Sequence, residues 1–372
     1  MKTSQKRLAI FLPALYGGGA ERTMLNLAAG LTGKGYAVDL VLAQTEGPYL
    51  DQIPGAVRLI ELSARRLKGL RTLASLPALV RYLRRERPDA LLSALHANTV
   101  ALWAQRLTGI PQRVVICEQN TFSYWNQHLP AWYSWLMLRL VNFFYPWATR
   151  IVAVSEGVAN DLARFARIPR DRIEVIYNPG VTPELQIKAK DILEHHWFRP
   201  SEPPVILAVG RLTAQKDFPT LIQAFAQVRK SRPARLLILG EGTERPSLEA
   251  LVTRLGLDQD VCLPGFTANP YPYISRASLF VLSSRWEGLP TVLVEALYCG
   301  ARIIATDCPS GPREILSNGR YGKLVPVGNV ASLAQAIESA LEAETPRPPC
   351  ESWRPFEIET VVNQYVSALL GA

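Results

Sequence analysis

Apolar, β-rich runs alternate along the chain with stretches in which apolar residues recur every three to four positions. The runs at 7–14, 36–43, 89–95, 113–117, 150–154 and 173–177 predict strands in the first half. Those at 204–209, 235–239, 260–263, 278–282, 302–306 and 323–326 predict strands in the second. Helical spacing falls between them, at 21–33, 220–230, 246–256, 291–299 and 331–342. Strand–helix alternation of this kind implies parallel sheets covered on both faces. Two such series in tandem predict an α/β protein of two doubly wound Rossmann-like domains facing across a cleft. The break lies near Asn178-Pro179-Gly180 to Pro204, where turn residues and a polar, strandless stretch intervene. That sets the domains at 1–182 and 183–352. In 353–372, Phe356, Val361, Val362, Tyr365 and Leu369 recur at helical intervals and predict a final helix packing back toward the first domain.

Composition narrows the class. A chain of 372 residues suits two domains of ~100–200 residues each. With 48% hydrophobic and 20% charged residues it is a folded chain, not a disordered one. No uncharged apolar stretch reaches the ~18–20 residues that cross a bilayer. The nearest, 132–148, is broken by Arg139, Asn142 and Pro146. The basic start and the run Leu8 to Tyr16 resemble a secretory leader, but Pro13 and the lack of a small-x-small cleavage site favour a buried first strand. The five cysteines are scattered, with no C-x-x-C pair, which argues against a disulfide framework or a zinc site and for a reducing compartment.

Charge is unevenly spread. The formal net charge is +9, yet residues 1–180 hold 22 basic against 12 acidic side chains, whereas 181–372 hold 19 against 20. The densest cluster is 65–87, where Arg65, Arg66, Lys68, Arg71, Arg81, Arg84, Arg85 and Arg87 stand against Glu86. Leucines and valines recur among these cations at roughly helical spacing, which fits contact with an anionic membrane surface through 65–87. A solvated face of an ordinary surface helix fits the same pattern. Nucleic acid is disfavoured as a partner, because no recognisable binding module accompanies the charge. The Trp- and Tyr-rich stretch 122–150 suits either a bilayer or packing beneath the sheet.

Three places carry candidate chemistry. The first strand ends in Gly17-Gly18-Gly19, directly before a helical stretch, where backbone N–H groups can approach a phosphate. It is not a dinucleotide fingerprint, since the third glycine of a G-x-G-x-x-G begun at Gly17 is replaced by Arg22. The second half opens with a strand ending at Gly210, followed by Arg211 and Lys216, two cations placed for a diphosphate. Further on, a strand runs into Glu287, Gly288, Leu289 and Pro290, then a helix that carries Glu295. Pro290 is predicted at the first helical position, leaving the amides of Thr291 and Val292 for an anion. The two carboxylates suit sugar hydroxyls.

Taken together, these segments strongly resemble the retaining glycosyltransferases of family 4, with the two-Rossmann GT-B architecture. The resemblance covers almost the whole chain. Its most specific element is the E-x7-E motif, matched by Glu287 and Glu295 in EGLPTVLVEAL. VGRLTAQKDFPTLIQAF, LGEGTERPSLE, PGF at 264–266, TDCPSGPREIL, GGGAERTMLNLA, AVSEGVANDL and IYNPGV add to it. The resemblance implies that Arg211 and Lys216 neutralise the donor diphosphate, that Glu295 accepts from the ribose hydroxyls, and that Glu287 contacts the transferred sugar. It further implies that Gly288 to Thr291 hold sugar and phosphate, that Gly18 and Gly19 close over the diphosphate, and that Gly240, Gly242 and Phe266 hold the base. On the acceptor side it points to His96, Glu118 and Asn120. Where the family commonly has a histidine after the next strand, RVVICEQN supplies Glu118, with Cys117 in place of the serine of a Ser-Glu-x-Asn run.

The expectation is a hexosyltransferase that moves a hexose or N-acetylhexosamine, with retention, from a UDP-linked nucleotide sugar to a lipid-linked saccharide or polysaccharide glycan. The family implies a front-face route, in which the leaving phosphate takes the acceptor's proton. No cofactor and no metal are expected: two cations with helix N-termini can replace a metal electrostatically. The expected location is cytoplasmic, peripheral on the inner membrane. Three rivals stand beside it, a non-catalytic nucleotide-sugar-binding subunit, a sugar-nucleotide epimerase and an oxidoreductase on similar domains.

Overall fold

A computed structural model of the chain describes residues 5–62, 71–127, 130–342 and 347–371. It divides into two compact units, Met1–Pro179 together with Glu357–Ala372, and Gly180–Phe356. The strands of unit 1 are β1 (Arg7–Leu12), β2 (Ala37–Leu42), β3 (Arg58–Glu61), β4 (Ala90–Ala94), β5 (Arg113–Glu118), β6 (Arg150–Ala153) and β7 (Ile173–Val175). They form one parallel seven-stranded sheet in the order β3-β2-β1-β4-β5-β6-β7. Its helices are α1 (Gly19–Gly33), α2 (Arg71–Ala74), α3 (Leu76–Glu86), α4 (Asn98–Thr108), α5 (Phe122–Gln127), α6 (Ala131–Phe144) and α7 (Glu156–Ala166).

Unit 2 contains the helices α8 (Pro183–Lys188), α9 (Phe218–Ser231), α10 (Arg245–Arg254), α11 (Tyr271–Arg276), α12 (Thr291–Tyr298), α13 (Pro312–Ile315) and α14 (Val330–Glu342). Its strands are β8 (Val205–Val209), β9 (Arg235–Leu239), β10 (Val261–Gly265), β11 (Leu279–Leu282), β12 (Ile303–Thr306) and β13 (Lys323–Val325), parallel in the order β10-β9-β8-β11-β12-β13. The chain then returns to unit 1 as α15 (Ile358–Leu370).

Central strands in both sheets are buried on both faces, which is why they read as unbroken apolar runs. Leu8 to Leu12 of β1 and Ile206 to Ala208 of β8 are wholly buried. A core of Ile206, Phe225, Leu236, Ile238, Val281 and Ile337 locks α9 and α14 to the sheet of unit 2. In unit 1, α15 packs on α1, β4 and β5. Gly30 of α1 makes this approach possible, because a Cβ there would lie 2.5 Å from Val362 Cγ2. Arg113 Nε donates to Leu369 O at 2.8 Å, and the buried Tyr365 hydroxyl meets Cys117 Sγ at 3.3 Å.

Several expectations change. Strand β3 was not foreseen, since its residues are mostly exposed and it pairs with β2 alone at the edge of the sheet. Arg58 on β3 forks onto buried Asp39 at 2.8 and 2.6 Å and also reaches Glu86, so Glu86 serves an ion-pair network with Arg58 and Arg7 rather than a lone place among cations. The final helix begins at Ile358, later than the 353 its apolar spacing suggests, because two short 3-10 turns precede it. Of the basic stretch 65–87, Arg65, Arg66 and Lys68 lie outside the described residues. Its described part is α2 and α3, where Arg71 contacts Gln44 and Glu46, and Arg84 donates to Leu107 O at 2.8 Å.

Candidate active site

Parallel strands place all their carboxyl ends on one side of a sheet, and ligands collect where the strand order reverses. In unit 2 that point lies between β8 and β11. Each contributes candidates from the loop at its carboxyl end: Arg211 and Lys216 follow β8, and Glu287 follows β11. Lys216 Nζ lies 2.5 Å from Glu287 Oε1, with the two side chains 15% and 8% exposed. Ser284 Oγ donates to the same Oε1 at 2.6 Å. Among the described residues, Oε2 receives only Gln215 Nε2, at 3.4 Å. One carboxylate oxygen is therefore fixed by the protein, while the other keeps acceptor capacity. Arg211 is exposed at the start of its loop.

The loops bearing these groups are braced by backbone. Arg285 N donates to Gln215 O at 2.8 Å, joining the two loops, and the Ser283 hydroxyl donates to Lys216 O at 2.7 Å. Asp217, buried and left-handed at φ 48°, pairs with Arg285. From β12, Pro309 and Ser310 exchange backbone bonds with Glu287, at 2.7 and 3.0 Å, and the Ser310 hydroxyl donates to Gly288 O at 2.9 Å. Gly288, Leu289 and Pro290 are buried in this brace, and Thr291 opens α12. Pro290 itself is not helical: with ψ 96° it caps α12 from outside, one position earlier than predicted. The amides of Thr291 and Val292 still head the helix, where early N–H groups lack intrahelical acceptors. Glu295 lies one turn along α12, partly exposed.

Gly240 and Gly242 follow β9 and have a packing reason for lacking side chains. A Cβ at Gly240 would fall 1.9 Å from Gly210 O, and one at Gly242 2.2 Å from Leu212 O. Leu212 N donates to Glu241 O at 2.8 Å, so this turn presses on the loop that carries Arg211. Phe266, after β10, projects its ring into solvent at 60% exposure.

In unit 1 the order reverses between β1 and β4. Gly18 caps α1 from an extended conformation, and Gly19 is its first residue. A Cβ on Gly18 would clash with the Glu21 carboxylate at 2.4 Å. His96 is exposed just after β4, turned outward by Leu95, which sits in the left-handed region at φ 63°. Glu118 ends β5, and Asn120 is exposed two residues later. Asn98 Nδ2 donates to Glu118 Oε1 at 2.9 Å, and the Tyr145 hydroxyl donates to the same oxygen. Burial raises the Glu118 carboxyl to about 7, against these two hydrogen bonds, which favour its ionised form.

Each unit thus gathers its own candidates at the carboxyl ends of neighbouring strands. Residues that sequence reasoning missed are those that hold the candidates: Ser284 and Gln215 around Glu287, Asn98 and Tyr145 around Glu118. Ser284 stands three residues before Glu287 and Asn98 two after His96, but no spacing rule marks such supports. Among the described residues no three His, Cys, Asp or Glu side chains converge as a metal site would need. The cysteines are unpaired, and burial raises Cys117 and Cys308 to about 12.

Comparison with known proteins covers both units. Residues 17–182 match the model of Glycosyltransferase Family 4, and residues 190–355 that of Glycosyl transferases group 1. A Campylobacter jejuni protein is 32% identical over 345 residues, spanning 91% of this chain and 90% of its own. It is named N-acetylgalactosamine-N,N'-diacetylbacillosaminyl-diphospho-undecaprenol 4-alpha-N-acetylgalactosaminyltransferase. Among solved structures, a glycosyltransferase from Rickettsia africae superposes with a TM-score of 0.80 at 18% identity, covering 98% of this chain and 97% of that one. An Anabaena protein solved with UDP and glucose superposes with a TM-score of 0.76 at 19% identity, covering 99% and 100%.

Proposed function

Because the chain belongs to the GT-B glycosyltransferases of family 4, we propose that it transfers a hexose or N-acetylhexosamine with retention, from a UDP-linked donor to a lipid-linked or polysaccharide glycan, without a metal. The observation that carries this reading is the Lys216–Glu287 pair where the strand order of unit 2 reverses. The name of the Campylobacter relative supports a diphospho-lipid-linked acceptor and an N-acetylhexosamine. The UDP and glucose held by the Anabaena protein support the donor class.

In this reading Arg211, Lys216 and the amides of Thr291 and Val292 hold the donor diphosphate. Glu295 accepts from the ribose hydroxyls, and Glu287 takes a hydroxyl of the transferred sugar on Oε2. Phe266 stacks on the base, while Gly240 and Gly242 shape the loop beside it. Gly288, Leu289 and Pro290 fix the backbone that faces sugar and phosphate. Gly18 and Gly19 are assigned to the diphosphate, and His96, Glu118 and Asn120 to the acceptor, as the share of unit 1. The bond from the anomeric carbon to the phosphate oxygen breaks, its electron pair leaving with the diphosphate. The acceptor oxygen bonds to the same face of that carbon, and its proton passes to the leaving phosphate. Arg211 and Lys216 offset the charge that builds there, a role a divalent cation could otherwise fill. The protein works peripherally at the cytoplasmic face of the inner membrane, with 65–87 toward anionic lipid.

The test is binding and slow hydrolysis across UDP-, GDP- and ADP-sugars, with and without EDTA. Tight binding of one UDP-sugar, unchanged by EDTA, is expected. Loss of binding in EDTA overturns the metal-free mechanism, preference for GDP or ADP overturns the donor, binding with no hydrolysis or transfer brings the non-catalytic rival to the front, and binding of none overturns the reading itself.

A further inference from the structure

We infer that the outward face of α6 lies in the surface of an anionic bilayer, with Trp132, Trp135, Leu136 and Phe143 in the acyl–headgroup boundary and Arg139 among the phosphates. The inference rests on the peripheral reading above and moves the principal contact from the basic stretch 65–87 to a different helix.

Two faces of α6 differ sharply. Inward, Val141 is buried and Phe144 meets Trp103 edge-on at 5.1 Å between ring centroids. Outward, Trp132, Trp135 and Phe143 are 69%, 57% and 64% exposed, and Leu136 is exposed with them. Positions 132, 135, 136, 139 and 143 follow the spacing of a single helix face. Its only polar member is Arg139, whose guanidinium lies over the Trp135 ring, 4.8 Å from the centroid. An apolar stripe of two tryptophans, a leucine and a phenylalanine left in water is costly, and such faces mark interaction sites.

Charge selects the occupant. Between Glu118 and Glu156 the sequence holds no acidic residue, while it holds Arg139 and Arg150. Arg106 of α4 stacks on Trp147 at 4.9 Å, and the next residue, Leu107, is exposed. Helix α4 packs on both α6 and α3, so the exposed Arg81, Arg84 and Arg85 of α3 belong to the same helical layer. Helix α7, which also packs on α6, carries Glu156, paired with Arg170, and Asp161, which accepts from Ser123 N. Aromatic rings interleaved with arginine match the interfacial zone of a bilayer. No described helix is long and apolar enough to cross a membrane, so α6 lies along the surface.

The experiment is flotation of the full chain with vesicles of phosphatidylglycerol and phosphatidylethanolamine, and with neutral phosphatidylcholine vesicles. The wild type is expected to bind the anionic vesicles, and bromolipids are expected to quench its tryptophan emission. Trp132→Ser/Trp135→Ser/Phe143→Ser should lower partitioning about tenfold or more and keep wild-type UDP binding. Leu136→Glu, a second variant on the same face, should lower it as well. Arg81→Glu/Arg84→Glu/Arg85→Glu should cost less, and chiefly at low salt. If the wild type binds and both α6 variants bind equally well, the inference fails while the peripheral reading survives. If the wild type binds no vesicle, both fail. A wild-type dimer that the α6 variants dissolve, without vesicle binding, assigns the face to a second copy and also overturns the inference.

Discussion

Glu287 holds Lys216 with one oxygen and keeps acceptor capacity on the other, and both halves of that arrangement can be measured. Glu287→Gln leaves the shape but strands a mostly buried ammonium without its anion, which costs about 1–3 kcal/mol when the pair is part-exposed. Transfer should fall roughly a hundredfold, the usual scale for removing one electrostatic contact at a reacting centre. UDP should then raise the Tm of the variant more than that of the wild type, because the diphosphate supplies the missing charge. An equal rise in both would mean that Lys216 does not meet the diphosphate. Glu118 makes a second prediction at this scale. Its carboxyl is raised from 4.5 to about 7, so the fold binds that proton more tightly than the unfolded chain does. The resulting stability is complete below about pH 4.5 and is lost as pH rises through about 7. Urea unfolding at several pH values should therefore show a smaller loss on going from acid to neutral pH in Glu118→Gln than in the wild type.

At the scale of elements, close backbone approach explains what side-chain type alone does not. Gly30→Ala would drive a methyl group into Val362 and Ile358, pushing α15 from α1 at a cost of about 1–3 kcal/mol. Gly33→Ala, on the same helix with nothing within 4 Å, should instead be neutral or stabilise by up to ~1 kcal/mol. Thermal unfolding of the two variants separates a packing glycine from an idle one. The same contrast shows what was legible beforehand. Strands such as β1 and β8 announce themselves because burial on both faces demands unbroken apolar runs. Strand β3 does not, since Arg58 and Glu61 are polar, and its place depends on Asp39, distant in sequence. Arg211, Lys216 and Glu287 were legible because each is a charged residue in a loop between a strand and the helix that follows it. Ser284, Gln215, Asn98 and Tyr145 were not, because they matter through what they touch. Pro290 was misplaced by one residue because proline suits both the cap and the first turn.

At the scale of the whole molecule, the route of the chain makes the two units unequal. Unit 2 is one continuous segment, whereas unit 1 depends on α15, whose buried Val361, Val362, Tyr365 and Leu369 cover α1, β4 and β5. Deleting residues 357–372 should lower the calorimetric transition of unit 1 sharply, while the transition raised by UDP, that of unit 2, persists. A single merged loss of both transitions would contradict this division. The discontinuity also bears on synthesis. A ribosome must finish all of unit 2 before the helix that closes unit 1 emerges, so the sheet of unit 1 waits with an apolar face uncovered while its neighbour folds. Nascent chains of this protein should accordingly engage chaperones through the earlier-made half, and the order of folding should run against the order of translation.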